Sequence, residues 1–182
     1  MGGQDKGLVE LKNKALFMHA VERLTPQVGK IMLNANRHVD IYEKSGLPVY
    51  GDTYPGFVGP LAGFHVGLSH SKAPYLAIIP CDSPLFPTDL VEKLFQQLDS
   101  KRADIAYVVT KNPKNQNQSH PVFCLLRSGL KSHLGAFLDS GERKIDRWFG
   151  QLNAAEVIFP HEDAFTNINT PEELAKIESL LS

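Results

Sequence analysis

Short β-rich apolar runs alternate with segments of helical periodicity along almost the whole chain, and that alternation most narrows what it can fold into. Leu16, Phe17, Ala20, Val21 and Leu24 recur at helical spacing and stop at Thr25-Pro26, which predicts an amphipathic helix over residues 14–24. A strand at 30–34, a short helix at 39–43 closing at Ser45-Gly46, and a strand at 48–50 follow. Residues 51–63, rich in glycine and proline, shape a loop running into a helix that begins near Pro60 and continues through Leu68. Tyr75 to Cys81 is continuously apolar and is closed by Asp82, the pattern of a central parallel strand buried on both faces. Helices are predicted at 90–98 and 130–138, and strands at 105–109, 121–126 and 155–159. The polar run 111–119 reads as a hairpin tip or a mobile loop. Thr170-Pro171-Glu172-Glu173 supplies an N-cap, a proline at the first helical position and a glutamate three residues after the cap, so a last helix should run to about Leu181.

This order predicts an α/β domain with a parallel sheet and helices on both faces, in which ligands collect at the carboxyl ends of the strands. A length of 182 residues suits one such domain. A formal net charge of -1 and a pI near 6.6 disfavour nucleic-acid binding. Apolar runs such as Leu76 to Ile79 are far short of a membrane span, and no signal pattern opens the chain. The expectation is a cytoplasmic protein with neither nucleic-acid nor membrane partners. Cys81 and Cys124 each sit within an apolar stretch without a CxxC partner and are expected to be two buried thiols.

Three predicted strand ends carry Asn34, Asp52 and Asp82. Asp82, between Pro80 and Pro84, suits a hard divalent cation that takes one or two carboxylates plus phosphate oxygens and water; capping of a following helix or turn is the alternative. Asp52 could accept hydrogen bonds from a base or ribose, and Asn34 offers a donor and an acceptor to the same ligand. Each alone is ordinary turn chemistry, whereas all three at strand ends favour a nucleotide cleft.

Weaker signals flank these. Gly2-Gly3 followed by Lys6 suits backbone approach to a phosphate held by an ammonium, without the GxxxxGK[ST] of a P-loop. Gly141-Glu142-Arg143-Lys144 with Arg147 could form a basic patch for an anionic substrate or a solvated turn. Asn167 and Asn169 could bind a polar heterocycle or order the turn before Thr170. The seven histidines show no metal-ligand spacing, and His120 reads as a structural hydrogen-bonder.

Taken together, MGGQDKGL at 1–8, NANRH at 34–38, GD at 51–52, GPLAG at 59–63, PCDSP at 80–84, GERK at 141–144 and AFTNINTPEEL at 164–174 resemble the molybdenum cofactor guanylyltransferases of the nucleotidyltransferase superfamily. The resemblance spans essentially the whole chain. It implies a Rossmann-like three-layer sandwich with a mostly parallel central sheet, of the nucleotide-diphospho-sugar transferase type. It also implies transfer of GMP from GTP to molybdenum-bound molybdopterin, with release of diphosphate and with Mg²⁺ as cofactor. Carried over by position, Lys6 would hold GTP phosphate, and Lys6 and Asp82 would be the catalytic pair. Asn34 and Asp52 would contact the nucleoside, and Asp82 would bind nucleotide and ligate Mg²⁺. Arg143, Lys144, Asn167 and Asn169 would face molybdopterin. Molybdoenzyme apoproteins or their chaperones would be the downstream partners.

Members of this family carry a strand and a Leu-Ala-Gly-Gly type loop ahead of the Met-Gly-Gly found here at 1–3, so the chain begins inside that signature. Two expectations stand side by side: an N-terminally incomplete form of a longer single-domain protein, or a remnant that holds GTP weakly. A sheet without its first strand would leave neighbouring strands unpaired. Two alternative functions remain at this point. One is a related transferase using CTP or another nucleoside triphosphate; the other is a catalytically silent module that binds molybdopterin and delivers it. NINTPEEL together with GERK favours the pterin acceptor.

Overall fold

The computed structural model describes residues 5–56, 59–112, 114–168 and 170–180. Its first two strands form a hairpin that the apolar pattern does not announce. Strands β1 (Glu10–Leu11) and β2 (Lys14–Ala15) pair antiparallel across Lys12 and Asn13, both at positive φ, the twist that a tight two-residue turn requires. Helix α1 (Leu16–Leu24) follows directly and buries Leu16, Phe17 and Ala20.

Strand β3 (Leu33–Asn34) is shorter than the predicted 30–34 and pairs in parallel with β4 (Val49–Tyr50), with α2 (Val39–Glu43) as the crossover. Helix α3 (Pro60–His70) begins with proline in its first turn, where the missing N–H costs nothing. After it come β5 (Tyr75–Ile78), α4 (Leu90–Ser100), β6 (Ile105–Lys111) and β7 (Asn117–Arg127). Helices α5 (Lys131–Asp139) and α6 (Ile145–Phe149), strand β8 (Ala154–Phe159) and helix α7 (Pro171–Leu180) complete the chain. Thr170 and Glu173 form the expected reciprocal cap: Glu173 N–H donates to Thr170 Oγ1 at 3.2 Å, and Thr170 N–H to Glu173 Oε2 at 3.0 Å.

The larger sheet has the order β5-β7-β6-β8. Its β6–β8 pair is parallel, whereas β7 runs antiparallel to both β5 and β6, so this sheet is mixed rather than mostly parallel. The polar run at 111–119 is the reason: it closes a β6–β7 hairpin, with Lys111 opposite Asn117, and reverses the chain without a helical crossover. Tyr75–Ile78 is accordingly a half-buried strand at the end of this sheet, not the doubly buried central parallel strand its apolar run suggests. Between Tyr107↔Cys124 and Val108↔His120 the register jumps past Pro121, Val122 and Phe123, a break at which a residue without an N–H is tolerated.

Alternation along the strands divides the core between the two faces of the sheet. Ala106, Val108, Phe123 and Leu125 pack with Leu90, Leu94 and Leu98 of α4 on one face. Ile105, Cys124 and Leu126 pack on the other with Phe64 of α3, Leu134 of α5 and Trp148 of α6. Helices thus cover both faces, which makes three layers.

The β3–β4 ladder is separate from this sheet, and between them lies an apolar-lined cavity of about 730 Å³ bordered by residues 28–32 and by Tyr75, Leu76 and Ala77. Cys124 is buried as expected. Cys81 is not: it lies beyond the end of β5, exposed as a residue, although burial of its thiol pushes the pKa up to about 12 and keeps it protonated at neutral pH. Among the described residues no helix is long and apolar enough to cross a membrane.

Candidate active site

Lys6 lies in a single 3₁₀ turn, Lys6–Leu8, just ahead of β1. Its Nζ stands 3.7 Å from Asp82 Oδ2. Asp82 is only 8% exposed, and burial raises its pKa while the nearby Lys6 ammonium opposes the rise. It caps none of the described helices, since α4 begins only at Leu90 with Asp89 at the N-cap position. The half-exposed lysine and a backbone hydrogen bond together do not offset the cost of burying this carboxylate, which suits it to a further positive charge. Among the described residues no three His, Cys, Asp or Glu side chains are arranged around a common metal position. A hard cation at Asp82 would find one protein carboxylate there, and with phosphate oxygens and water as further ligands that donor chemistry fits Mg²⁺.

Asn167 joins the same neighbourhood through two contacts. Ser83, fully buried, donates from Oγ to Asn167 Oδ1 at 2.6 Å, and Ile168 N–H donates to the Asp82 carbonyl at 2.9 Å. The segment before α7 is thereby clamped onto the Asp82 loop. Asn169 lies outside the described residues.

A second cluster forms where β3 and β4 end. Asn34 Nδ2 donates to Tyr50 O and to Asp52 Oδ1, both at 3.0 Å. Asn36 Nδ2 donates to Asp52 Oδ2 at 2.8 Å, and Asp52 N–H returns a bond to Asn36 Oδ1 at 2.7 Å. The two asparagines therefore hold the Asp52 carboxylate by one amide each and leave each oxygen a further lone pair. These residues line a cavity of about 310 Å³ with Gly56, Gly59, Pro60 and Gly63. Gly63 permits the approach of α3: a Cβ there would lie 2.8 Å from Asn34 Oδ1. Asn36 was not singled out from sequence, although its place inside NANRH, two residues beyond Asn34 and so on the same side of an extended segment, could have marked it.

Arg143 and Lys144 occupy a third place. Arg143 Nη1 donates to the carbonyls of Leu138 at 2.6 Å and Glu142 at 2.7 Å, closing the end of α5, and Lys144 lies at the N-cap position of α6. Arg147 pairs with Glu142 at 2.5 Å. The loop after Asp52 reaches this region through Tyr54, whose hydroxyl donates to Asp139 Oδ1 at 3.1 Å and feels the Arg143 charge. Lys6 and Asp82 are thus brought together directly, Asn167 is tied to the same loop through Ser83, and Asn34 stands beside Asp52. Arg143 acts first as a helix terminator. His120 shares a 2.8 Å hydrogen bond with Thr110 Oγ1, the structural role expected of it.

Asn34, Asp52 and Asp82 lie at or just beyond strand ends of a three-layer α/β sandwich, where open α/β sheets bind their ligands. The solved structures agree on the fold. Molybdopterin-guanine dinucleotide biosynthesis protein A from Archaeoglobus fulgidus superposes with a TM-score of 0.75 at 22% identity, covering 98% of this chain and 91% of that one. The 2-C-methyl-D-erythritol 4-phosphate cytidylyltransferase of Thermus thermophilus superposes with a TM-score of 0.76 at 12% identity, covering 97% and 93%. The fold is that of a nucleotidyltransferase. Within that class the chain belongs to the MobA-like NTP transferase domain family, which it matches over residues 1–156. A molybdenum cofactor guanylyltransferase from Cupriavidus necator is 47% identical over 179 residues, 98% of this chain and 90% of that protein.

Proposed function

We infer that the chain is a molybdenum cofactor guanylyltransferase, which transfers GMP from GTP to molybdenum-bound molybdopterin and releases diphosphate. The observation that carries this is the 47% identity over nearly the full chain to a relative of that name. Phosphoryl transfer asks a protein for positioning and charge neutralisation more than for covalent chemistry, and the site supplies both. A phosphate oxygen of molybdopterin attacks the α-phosphorus of GTP in line, the bond from that phosphorus to the bridging oxygen breaks, and diphosphate leaves with the electron pair.

Lys6 places its ammonium against the triphosphate and offsets charge on the departing diphosphate. Asp82 would supply a divalent cation at the nucleotide with its protein ligand, the buried carboxylate. Magnesium, when bound there, neutralises phosphate charge and polarises phosphate oxygens. Asn34 and Asp52 hold the nucleoside, with Asn36 fixing the Asp52 carboxylate. Asn167 and Asn169, with Arg143 and Lys144, serve the pterin side; the Ser83 clamp holds Asn167 against the loop that carries Asp82. Apo-molybdoenzymes or their chaperones receive the product.

Incubation with Mg²⁺, molybdenum-bound molybdopterin and GTP labelled at the α-phosphate tests the assignment. The expected result is label in the guanine dinucleotide, with one diphosphate released per product. Labelled product from CTP and none from GTP would overturn it.

A further inference from the structure

We propose that Asp5 is the positioning residue of the phosphate-side lysine: its carboxylate latches the Lys6 turn to α2 and so fixes where the Lys6 ammonium stands relative to Asp82. This rests on reading Lys6 as the group that holds triphosphate.

Lys6 cannot place itself. It sits on a three-residue turn, and its long side chain is about half exposed, with several rotatable bonds to be restrained. What holds the turn is the residue before it. One oxygen of Asp5 accepts from Gly7 N–H at 3.2 Å and from Tyr42 Oη at 2.8 Å. The other lies 3.2 Å from His38 Nδ1 and 3.8 Å from Arg37 Nε. The Asp5 side chain is 14% exposed. It thus ties the turn simultaneously to α2 and to the residues leading into α2.

The residue after Lys6 fixes the turn from the other side. Gly7 is buried, and a Cβ there would stand 2.4 Å from Tyr42 Oη and 3.2 Å from Cys81 Sγ. The backbone at Gly7 therefore passes between α2 and the loop that carries Asp82. Tyr42 is itself held, its ring edge-on to Phe17 of α1 at 4.8 Å. Lys6 stands between two pinned neighbours, which leaves its side chain directed at the Asp82 carboxylate.

The latch also links two parts of the site. Arg37 and His38 directly follow the segment bearing Asn34 and Asn36, and His38 adopts φ 51°, a left-handed conformation that a non-glycine residue holds only when its surroundings fix it. Asp5 thereby sets the phosphate-side lysine in register with the asparagines that clasp Asp52.

The test compares Asp5→Ala, Asp5→Asn, Tyr42→Phe, Lys6→Ala and the double variant Asp5→Ala/Lys6→Ala, reading kcat and KM for GTP with molybdopterin saturating, alongside the thermal midpoint of each. Displacing a catalytic group by about 1 Å costs on the order of 100-fold. Asp5→Ala should lower kcat about 10- to 100-fold with a smaller change in KM. Asp5→Asn retains an oxygen for Gly7 N–H and Tyr42 Oη and should recover most of that loss, and Tyr42→Phe should fall between them. The double variant should be no slower than Lys6→Ala, because a positioning residue has nothing left to position. Unchanged kcat in a folded Asp5→Ala, or a loss that multiplies onto that of Lys6→Ala, overturns the latch. If Asp5→Ala does not fold, unchanged kcat in Tyr42→Phe overturns it instead. A Lys6→Ala protein as active as the parent removes the lysine assignment itself, whereas an impaired Lys6→Ala beside an unimpaired Asp5→Ala removes only the latch.

Discussion

Ser83 Oγ donates to Asn167 Oδ1 at 2.6 Å, across 84 positions of sequence, and so joins the loop that carries Asp82 to the segment that leads into α7. Ser83→Ala deletes this bond at a fully buried position and leaves the amide oxygen of Asn167 without that donor. The expected cost is about 1–2 kcal/mol, read from urea denaturation. On the pterin-side role proposed for Asn167, KM for molybdopterin should rise more than KM for GTP in steady-state assays of the same variant.

Asn36 holds Asp52 through two hydrogen bonds, its amide N–H donating to the carboxylate and its Oδ1 accepting from the Asp52 backbone N–H. Asn36→Ala should free Asp52 to rotate and raise KM for GTP about tenfold, the equivalent of about 1.4 kcal/mol, with little change in thermal midpoint because the cluster is exposed. Asn36→Asp should be worse, since it places two carboxylates side by side. Initial-rate measurements over a range of GTP concentrations check both.

His120 and His65 are both partly buried, and burial lowers the pKa of each; Lys131 adds to the effect at His65, while Glu162 opposes it at His120 and Asp139 opposes it at His65. With the folded pKa below the ordinary value of 6.5, the unfolded chain binds more protons between the two values. Their contribution to stability is therefore complete above pH 6.5 and declines as pH falls through the window beneath it. Thermal midpoints measured from about pH 7.5 to about 5.5 should decrease. In His120→Gln that decrease should be shallower, and an unchanged slope would show that His120 does not contribute to it.

Thr170 and Glu173 cap α7 reciprocally. Thr170→Ala should destabilise the protein by about 1 kcal/mol, and Thr170→Ser should restore most of it, as followed by circular dichroism during denaturation. The same helix contributes Ile177 to a small core with Val9, Leu11, Leu16 and Ile168, so its loosening should be felt at the N-terminal hairpin in hydrogen exchange.

Helices were the most legible part of the sequence, because their signals are local. The spacing of Leu16, Phe17 and Ala20, the proline at 60 and the Thr170 box each lie within one or two turns, and α1, α3 and α7 form there. Strand direction was less so. The apolar run at Tyr75–Ile78 specifies a strand, but whether its neighbour runs parallel depends on the distant 111–119 turn that sends β7 back along β6. The hairpin around Lys12-Asn13 leaves little trace in the sequence because its positive-φ residues are not glycines. Helix α6 is only five residues long, too short to show a period. In the site, Asn34, Asp52 and Asp82 stood out because each ends an apolar run. Asn36, Ser83, Asp5 and Tyr42 act by holding another residue, a role that exists only once distant segments meet.

The most direct measurement is isothermal titration of GTP into the 182-residue chain, with and without Mg²⁺, beside Asp82→Ala. The guanylyltransferase assignment, with Asp82 as the cation's protein ligand, predicts binding that Mg²⁺ strengthens, and loss of that dependence in the variant. GTP binding that is equally strong without Mg²⁺, or unaltered in Asp82→Ala, would contradict it.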